Sequence, residues 1–208
     1  MTRAVVMRSG IATALLILVL VAGCGHQSPL GPHTPTGATI LGGPDVTSAS
    51  PPPPGWTQRP VIPASQQQAQ DTIIGYLKKT LQALPPGTSL DATRYSGGTN
   101  TPPCKDVDTG KAPVSFATIG ELNLPAGVDP VGIVAQLGDT WKRWGWYVIE
   151  RDGFRKPNRF GYAPDGYILQ IIAKDPVTDP PTLKGDSPCF SGDLPDDRSP
   201  FPMVLNAD

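Results

Sequence analysis

Histidine is nearly missing from these 208 residues: there are two, His26 and His33, and both precede residue 64. A downstream domain without histidine has no Ser-His-Asp or Cys-His nucleophile system and no histidine-based metal catalysis. Glutamate is equally scarce, with Glu121 and Glu150 alone. A basic excess is lacking too, since 17 Lys and Arg stand against 18 Asp and Glu for a formal net charge of −1. Gripping phosphates needs surplus cations, so nucleic acid is disfavoured as a partner. The N-terminal apolar run, Ile11–Val21, is 11 residues long. A bilayer-spanning helix needs roughly 20, so a permanent transmembrane helix is not expected. What is abundant is backbone punctuation, 26 Pro and 23 Gly.

Residues 1–23 have a cationic start in Arg3 and Arg8, the apolar run, and a close in small residues. That is the pattern of a secretory signal. Val21-Ala22-Gly23-Cys24 resembles the bacterial lipobox at all four positions. The resemblance implies that the Cys24 thiol is diacylglycerated and the preceding peptide removed. Two or three acyl chains make a stable membrane anchor. The plain alternative is ordinary secretory cleavage with Cys24 left as a free thiol. After cleavage 15 basic and 18 acidic residues remain, near −3, and such a body does not adhere electrostatically to anionic lipid.

Residues 24–63 form the next segment, with ten prolines between Gly25 and Pro63, the run Pro51–Pro54 included. Few bulky apolar residues are present to offset the entropy of ordering, so a disordered, partly polyproline-II tether is expected. Its Thr and Ser among prolines suit O-glycosylation. A Cys24/His26/His33 metal site matches no compact zinc spacing.

Residues 64–194 read as one α+β domain. Ser65 with Gln68 three places on is a capping-box arrangement, and Ala69, Ile73, Tyr76/Leu77, Thr80/Leu81 and Leu84 follow at the helical period until Pro85-Pro86-Gly87. Asp129 as cap and Pro130 at the first turn open a second helix, with Val131, Val134, Leu137, Trp141 and Trp144 on one face and Gly145 as its stop. Strands are expected over Ser89–Tyr95, Val114–Leu124, Trp146–Asp152, Arg159–Ala163, Tyr167–Lys174 and Thr182–Cys189, with a hairpin turn at Pro164-Asp165-Gly166. This order fits a two-layer sandwich, two helices packed on a mainly antiparallel sheet. Residues 195–208 are polar and Pro-containing, and a flexible tail is expected there. Export places Cys104 and Cys189 in an oxidising compartment, where they are expected to pair; a redox role lacks a CxxC motif.

The lipobox, the Pro/Thr stalk, a cysteine leading into a strand, Trp144-Gly145-Trp146 and the closing Gly185-Asp186-Ser187-Pro188-Cys189 together resemble the small conserved lipoproteins of mycobacteria and related actinobacteria. The resemblance implies an envelope location, lipid-anchored on the extracytoplasmic face of the cell membrane, and an exposed binding or interaction domain. It carries over no catalytic residues.

Within the domain, Asp106 and Asp108 would share a side of an extended segment, but a calcium loop needs Gly at its sixth position and Glu at its twelfth. Here Gly110 comes one place early and Ala117 stands twelfth. Thr109-Gly110-Lys111 lacks the upstream Gly of a phosphate loop, Lys105 occupying that place. The one basic concentration is Lys142, Arg143, Arg151, Arg155, Lys156 and Arg159, interleaved with Trp144, Trp146, Phe154 and Phe160. Arg143, Trp144, Arg151, Arg155, Lys156 and Arg159 are the candidate binding residues, for an anionic headgroup or a phosphorylated or uronic glycan; the bland reading is a solvated rim on an aromatic core. No cofactor, metal or catalytic residue is implied. The expected function is a non-enzymatic envelope module binding a protein, lipid or glycan partner. One alternative is a carrier of apolar ligands with a cavity lined by Val131, Val134, Leu137, Ile168 and Ile172; the other is a carboxylate-based hydrolase using Asp106 or Glu150.

Overall fold

The computed structural model describes residues 51–105 and 111–207, all within the unit Gly42–Asp208. The signal, Cys24, the two histidines and Asp106 to Gly110 lie outside the described residues. Helix α1 spans Gln66–Gln82 and α2 spans Pro130–Arg143. Both start where local chemistry places a cap. The Ser65 hydroxyl accepts from the Gln68 amide, while Gln68 Oε1 turns back to accept from Ala64 N at 2.7 Å. The Asp129 carboxylate accepts from the amides of Val131 and Gly132 at 3.0 and 2.9 Å, satisfying donors left free in a first turn. Gly145, at φ 79°, lets the chain reverse out of α2 into a strand.

Eight strands follow in chain order: β1 Ser89–Asp91, β2 Thr99–Asn100, β3 Ala117–Asn123, β4 Tyr147–Ile149, β5 Asn158–Tyr162, β6 Ile168–Ile172, β7 Thr182–Asp186 and β8 Val204–Leu205. They form one sheet in the order β4-β5-β6-β7-β3-β1-β8, with β2 beside the first part of β3. Every pairing is antiparallel. The expected α+β sandwich is the fold. Alternation divides each strand between two faces. Leu90, Leu122, Gly161, Leu169, Ile171, Leu183 and Leu205 are buried toward the helices, against Ile73, Leu77, Val134, Leu137 and Trp141. Gly161 and Gly185 leave room for Trp141 and Ile73; a Cβ on Gly161 would stand 2.7 Å from the Trp141 ring.

Two margins of the domain differ from expectation. Residues 56–61, placed by composition in the disordered tether, form a strap over the β5–β6 turn. Arg59 N donates to Pro164 O at 2.7 Å and Val61 N to Asp165 O at 2.8 Å. Trp56 rests on Tyr147, ring centroids 5.3 Å apart. Proline content disfavours a self-contained core, but it does not prevent a segment from borrowing its partners. At the other end, residues 195–207 are docked rather than loose. Leu205 is buried opposite Leu90, Phe201 packs on Phe116, and the Gln70 side chain donates to Ser199 O at 2.8 Å.

Cys104 and Cys189 form a disulfide, with Cα atoms 6.3 Å apart. Beside it Val114 bridges both Pro103 and Phe190, so the bond secures a narrow three-stranded ladder beyond the main strands.

Candidate functional site

Among the described residues, the face of the sheet turned away from α1 and α2 carries no helix. Ala117, Ile119 and Glu121 of β3, Thr182, Lys184 and Asp186 of β7, and Ile168, Gln170 and Ile172 of β6 point there by register. Over β3, β6 and β7 lies a groove of about 560 Å³, floored by Ile119, Gln170, Lys184 and Asp186 and lipped by Tyr95, Ser96 and Asn100.

The lip follows from a turn written into its sequence. Asp91 accepts from both the amide and the hydroxyl of Thr93, at 2.8 and 2.6 Å, bending the chain directly after β1. Ser96, Gly97 and Gly98 then adopt φ of 46°, 96° and 69°. A Cβ on Gly98 would lie 2.4 Å from that of Ala92, so only glycine fits. Gly98 O accepts from Ile119 N at 2.8 Å and closes the loop onto β3.

At one end of this face the Glu121 carboxylate, its side chain 11% exposed, gathers Lys174, Arg94 and Tyr95. Lys174 Nζ donates to Oε1, the Tyr95 hydroxyl to the same oxygen at 3.2 Å, and Arg94 Nη1 to both oxygens at 3.1 Å. Burial alone would push this carboxyl up, but the three contacts overcome it and hold Glu121 below the usual range. The cluster fixes Tyr95 at the lip.

Asp186 is the opposite case. It accepts one hydrogen bond, from Gln170 Nε2 at 2.8 Å. Desolvation pushes its pKa up, and Lys184 and Gln170 only partly reverse this. For an acid raised in the folded state, stability falls as pH climbs from the ordinary aspartate value through the raised one, because ionisation is then opposed by the fold. Asp186→Asn is therefore expected to stabilise the protein at pH 7, by about 1 kcal/mol as for relief of an under-bonded, half-buried charge, and to stabilise it little below pH 4. Thermal melts at both pH values check the sign.

The six residues singled out from the basic concentration each have a partner of their own. Arg143 turns back onto Thr140 Oγ1 at 2.8 Å, and Trp144 takes the Lys79 ammonium over its ring at 4.2 Å. Arg159 lies along α2, its side chain against Gly138, and pairs with Glu150 at 2.6 Å. Lys156 pairs with Glu150 and Asp152, at 3.3 and 2.7 Å, and Arg155 with Asp175 at 2.8 Å. Arg151 stacks over Phe154 and Phe160, 5.3 and 5.0 Å from their centroids. Three of these cations, Arg155, Lys156 and Arg159, are thus ion-paired, and Glu150 and Asp152 stand within the same stretch of chain.

Glu121 and Glu150 are not a catalytic pair, for β3 and β4 are separated by β5, β6 and β7. Four inter-strand steps amount to roughly 19 Å. The five apolar residues of the carrier reading are divided between layers: Val134 and Leu137 are fully buried under the sheet, whereas Ile168 and Ile172 lie on its helix-free face. Among the described residues no three His, Cys, Asp or Glu side chains converge to hold a metal ion, and no helix is long and apolar enough to cross a membrane.

Sequence reasoning missed Lys184, Asp186 and Gln170. Their signal was parity, since Lys184 and Asp186 alternate with Leu183 and Gly185 within a segment expected to be a strand. Comparison with protein-family models, curated proteins and solved structures gives no significant match.

Proposed function

We propose that this chain is an exported binding protein of the cell envelope, held to the extracytoplasmic face of the membrane by lipid on Cys24, that engages its partner through the helix-free sheet face without chemical turnover. The observation that carries the reading is the groove over β3, β6 and β7, where a desolvated Asp186 and a neighbouring Lys184 are exposed to a ligand rather than sealed in the core. Pre-formed concavities in which a few placed polar or charged groups converge are where small ligands are oriented. The signal-like residues 1–23 and the Val21–Cys24 motif support export and anchoring. The surface-exposed disulfide fits an oxidising compartment.

The anchoring is tested by mass spectrometry of the full chain isolated from its own membranes. A new N-terminus at Cys24 carrying diacylglycerol is expected, and an unmodified Cys24 overturns that part. Binding is tested by retention of the full chain on envelope fragments. Lys184→Glu in the groove is expected to reduce retention tenfold or more, whereas Lys142→Glu on the exposed side of α2 leaves it intact. Equal retention of the two variants would refute the groove as the binding surface.

A further inference from the structure

We infer that the groove over β3, β6 and β7 is a site for a neutral sugar, a proposal that rests on the groove being the protein's binding surface and names the ligand class it takes. Charge is the first argument. The floor holds one cation and one anion, Lys184 and Asp186, on the same face of β7. An anionic ligand meets the Asp186 carboxylate and a cationic one meets Lys184. A neutral ligand with hydroxyls satisfies both.

Hydrogen-bonding capacity is the second. An ionised carboxylate offers about four acceptor sites, and Asp186 uses one of them, for Gln170 Nε2 at 2.8 Å. Vicinal hydroxyls present two donors at the spacing of the two carboxylate oxygens. Lys184 supplies donors to the lone pairs on those same hydroxyls, and the exposed Asn100 amide at the lip offers one donor group and one acceptor. An apolar ligand would desolvate these groups and return nothing to them.

Shape is the third. Tyr95 contributes a ring at the lip whose hydroxyl is fixed by Glu121, so the ring is held in one orientation before any ligand arrives. A flat aromatic surface beside a cluster of polar groups suits the C–H face of a pyranose. At about 560 Å³ the groove falls in the roughly 300–1,000 Å³ range of small-ligand sites. Finally, Ser96, held at φ 46°, and the desolvated charge of Asp186 coincide at this one place. Local cost of that kind concentrates where a fold serves a ligand.

The test is a titration of the full chain in detergent micelles, followed by amide chemical shifts. Maltose and N,N′-diacetylchitobiose serve as neutral probes and glucuronate as the anionic one. Saturable shifts at Asn100, Gln170, Lys184 and Asp186 are expected with at least one neutral probe at millimolar concentrations, with glucuronate at least fivefold weaker. Asp186→Asn, which remains folded by its own melt, is expected to weaken the neutral probe tenfold or more. Failure of both neutral sugars to saturate, tighter binding of glucuronate, or unchanged affinity in Asp186→Asn each overturns the proposal. If Lys184→Glu abolishes retention on envelope fragments while no sugar binds, the ligand class is wrong and the binding surface stands.

Discussion

Reduction of the Cys104–Cys189 bond is expected to lower the unfolding temperature by roughly 10–20 °C. The bond joins residues 85 apart in sequence, and closing a loop of that length removes about 4–5 kcal/mol of freedom from the unfolded chain on the chain-entropy account. For a domain of this size each kcal/mol is worth about 2–4 °C. The native structure around the bond has reason to persist without it: Cys104 N donates to Pro113 O at 2.8 Å, and Val114 and Phe190 exchange two backbone bonds at 3.0 and 2.8 Å. The effect should therefore fall on the melting temperature and leave the folded-state circular dichroism unchanged. Calorimetry of the oxidised protein, the reduced protein and the Cys104→Ser/Cys189→Ser variant checks it. A shift under 3 °C would show that the ladder, rather than the bond, restrains this region.

Trp141→Ala is expected to cost about 3–5 kcal/mol, the range for emptying a large aromatic site in a packed core. Trp141 has no exposed surface and joins four elements at once. Its indole N–H donates to Thr80 Oγ1 on α1 at 3.3 Å, its ring stacks on Trp146 at 6.1 Å just before β4, and Gly161 of β5 lies flat against it. Truncation leaves a void and strips a buried hydroxyl of its partner. Trp141→Phe, which keeps most of the volume, is expected to lose about 1–2 kcal/mol, chiefly through the indole hydrogen bond and the incomplete fill. Urea unfolding separates the two, with lowered midpoints at an unchanged slope. A Trp141→Ala loss below 1 kcal/mol would mean that the two helices are not held through this ring.

The elements that local chemistry determines were legible in the sequence. Ser65 and Asp129 start the helices where their side chains can cap, and Ala69, Ile73, Leu77 and Leu81 are buried at the spacing that marked them. Six strands lie within the segments expected from alternation, give or take a residue at their ends, because burial on one face forces the period. The two-residue strands β2 and β8 have no period to detect; they exist because β3 and β1 present free edges to them. The strap and the C-terminal segment escaped for a related reason, since main-chain bonds to distant carbonyls leave no trace in side-chain pattern. The groove is the furthest from local sequence. Lys184 stands across from Gln170 on one side and Ile119 on the other, a juxtaposition that only the strand order produces. The basic stretch shows the converse limit. Density of cations along the chain says nothing about where Asp175 will stand, and Arg155 finds it at 2.8 Å.

The strap also sets a mechanical property of the molecule. Tension entering from the N-terminal side meets residues 56–61 before it meets α1, and these are fastened by the Trp56 ring on Tyr147, the Gln58 side chain on Ala163 O and two main-chain bonds to the β5–β6 turn. Such a fastening yields by peeling, one bond at a time, whereas the sheet behind it loads all its ladders together. A pull would first release residues 56–63, whose fully extended contour is about 26–29 Å, while the sheet and the groove over β3, β6 and β7 keep their shape. Under load the segment would extend before the sheet does.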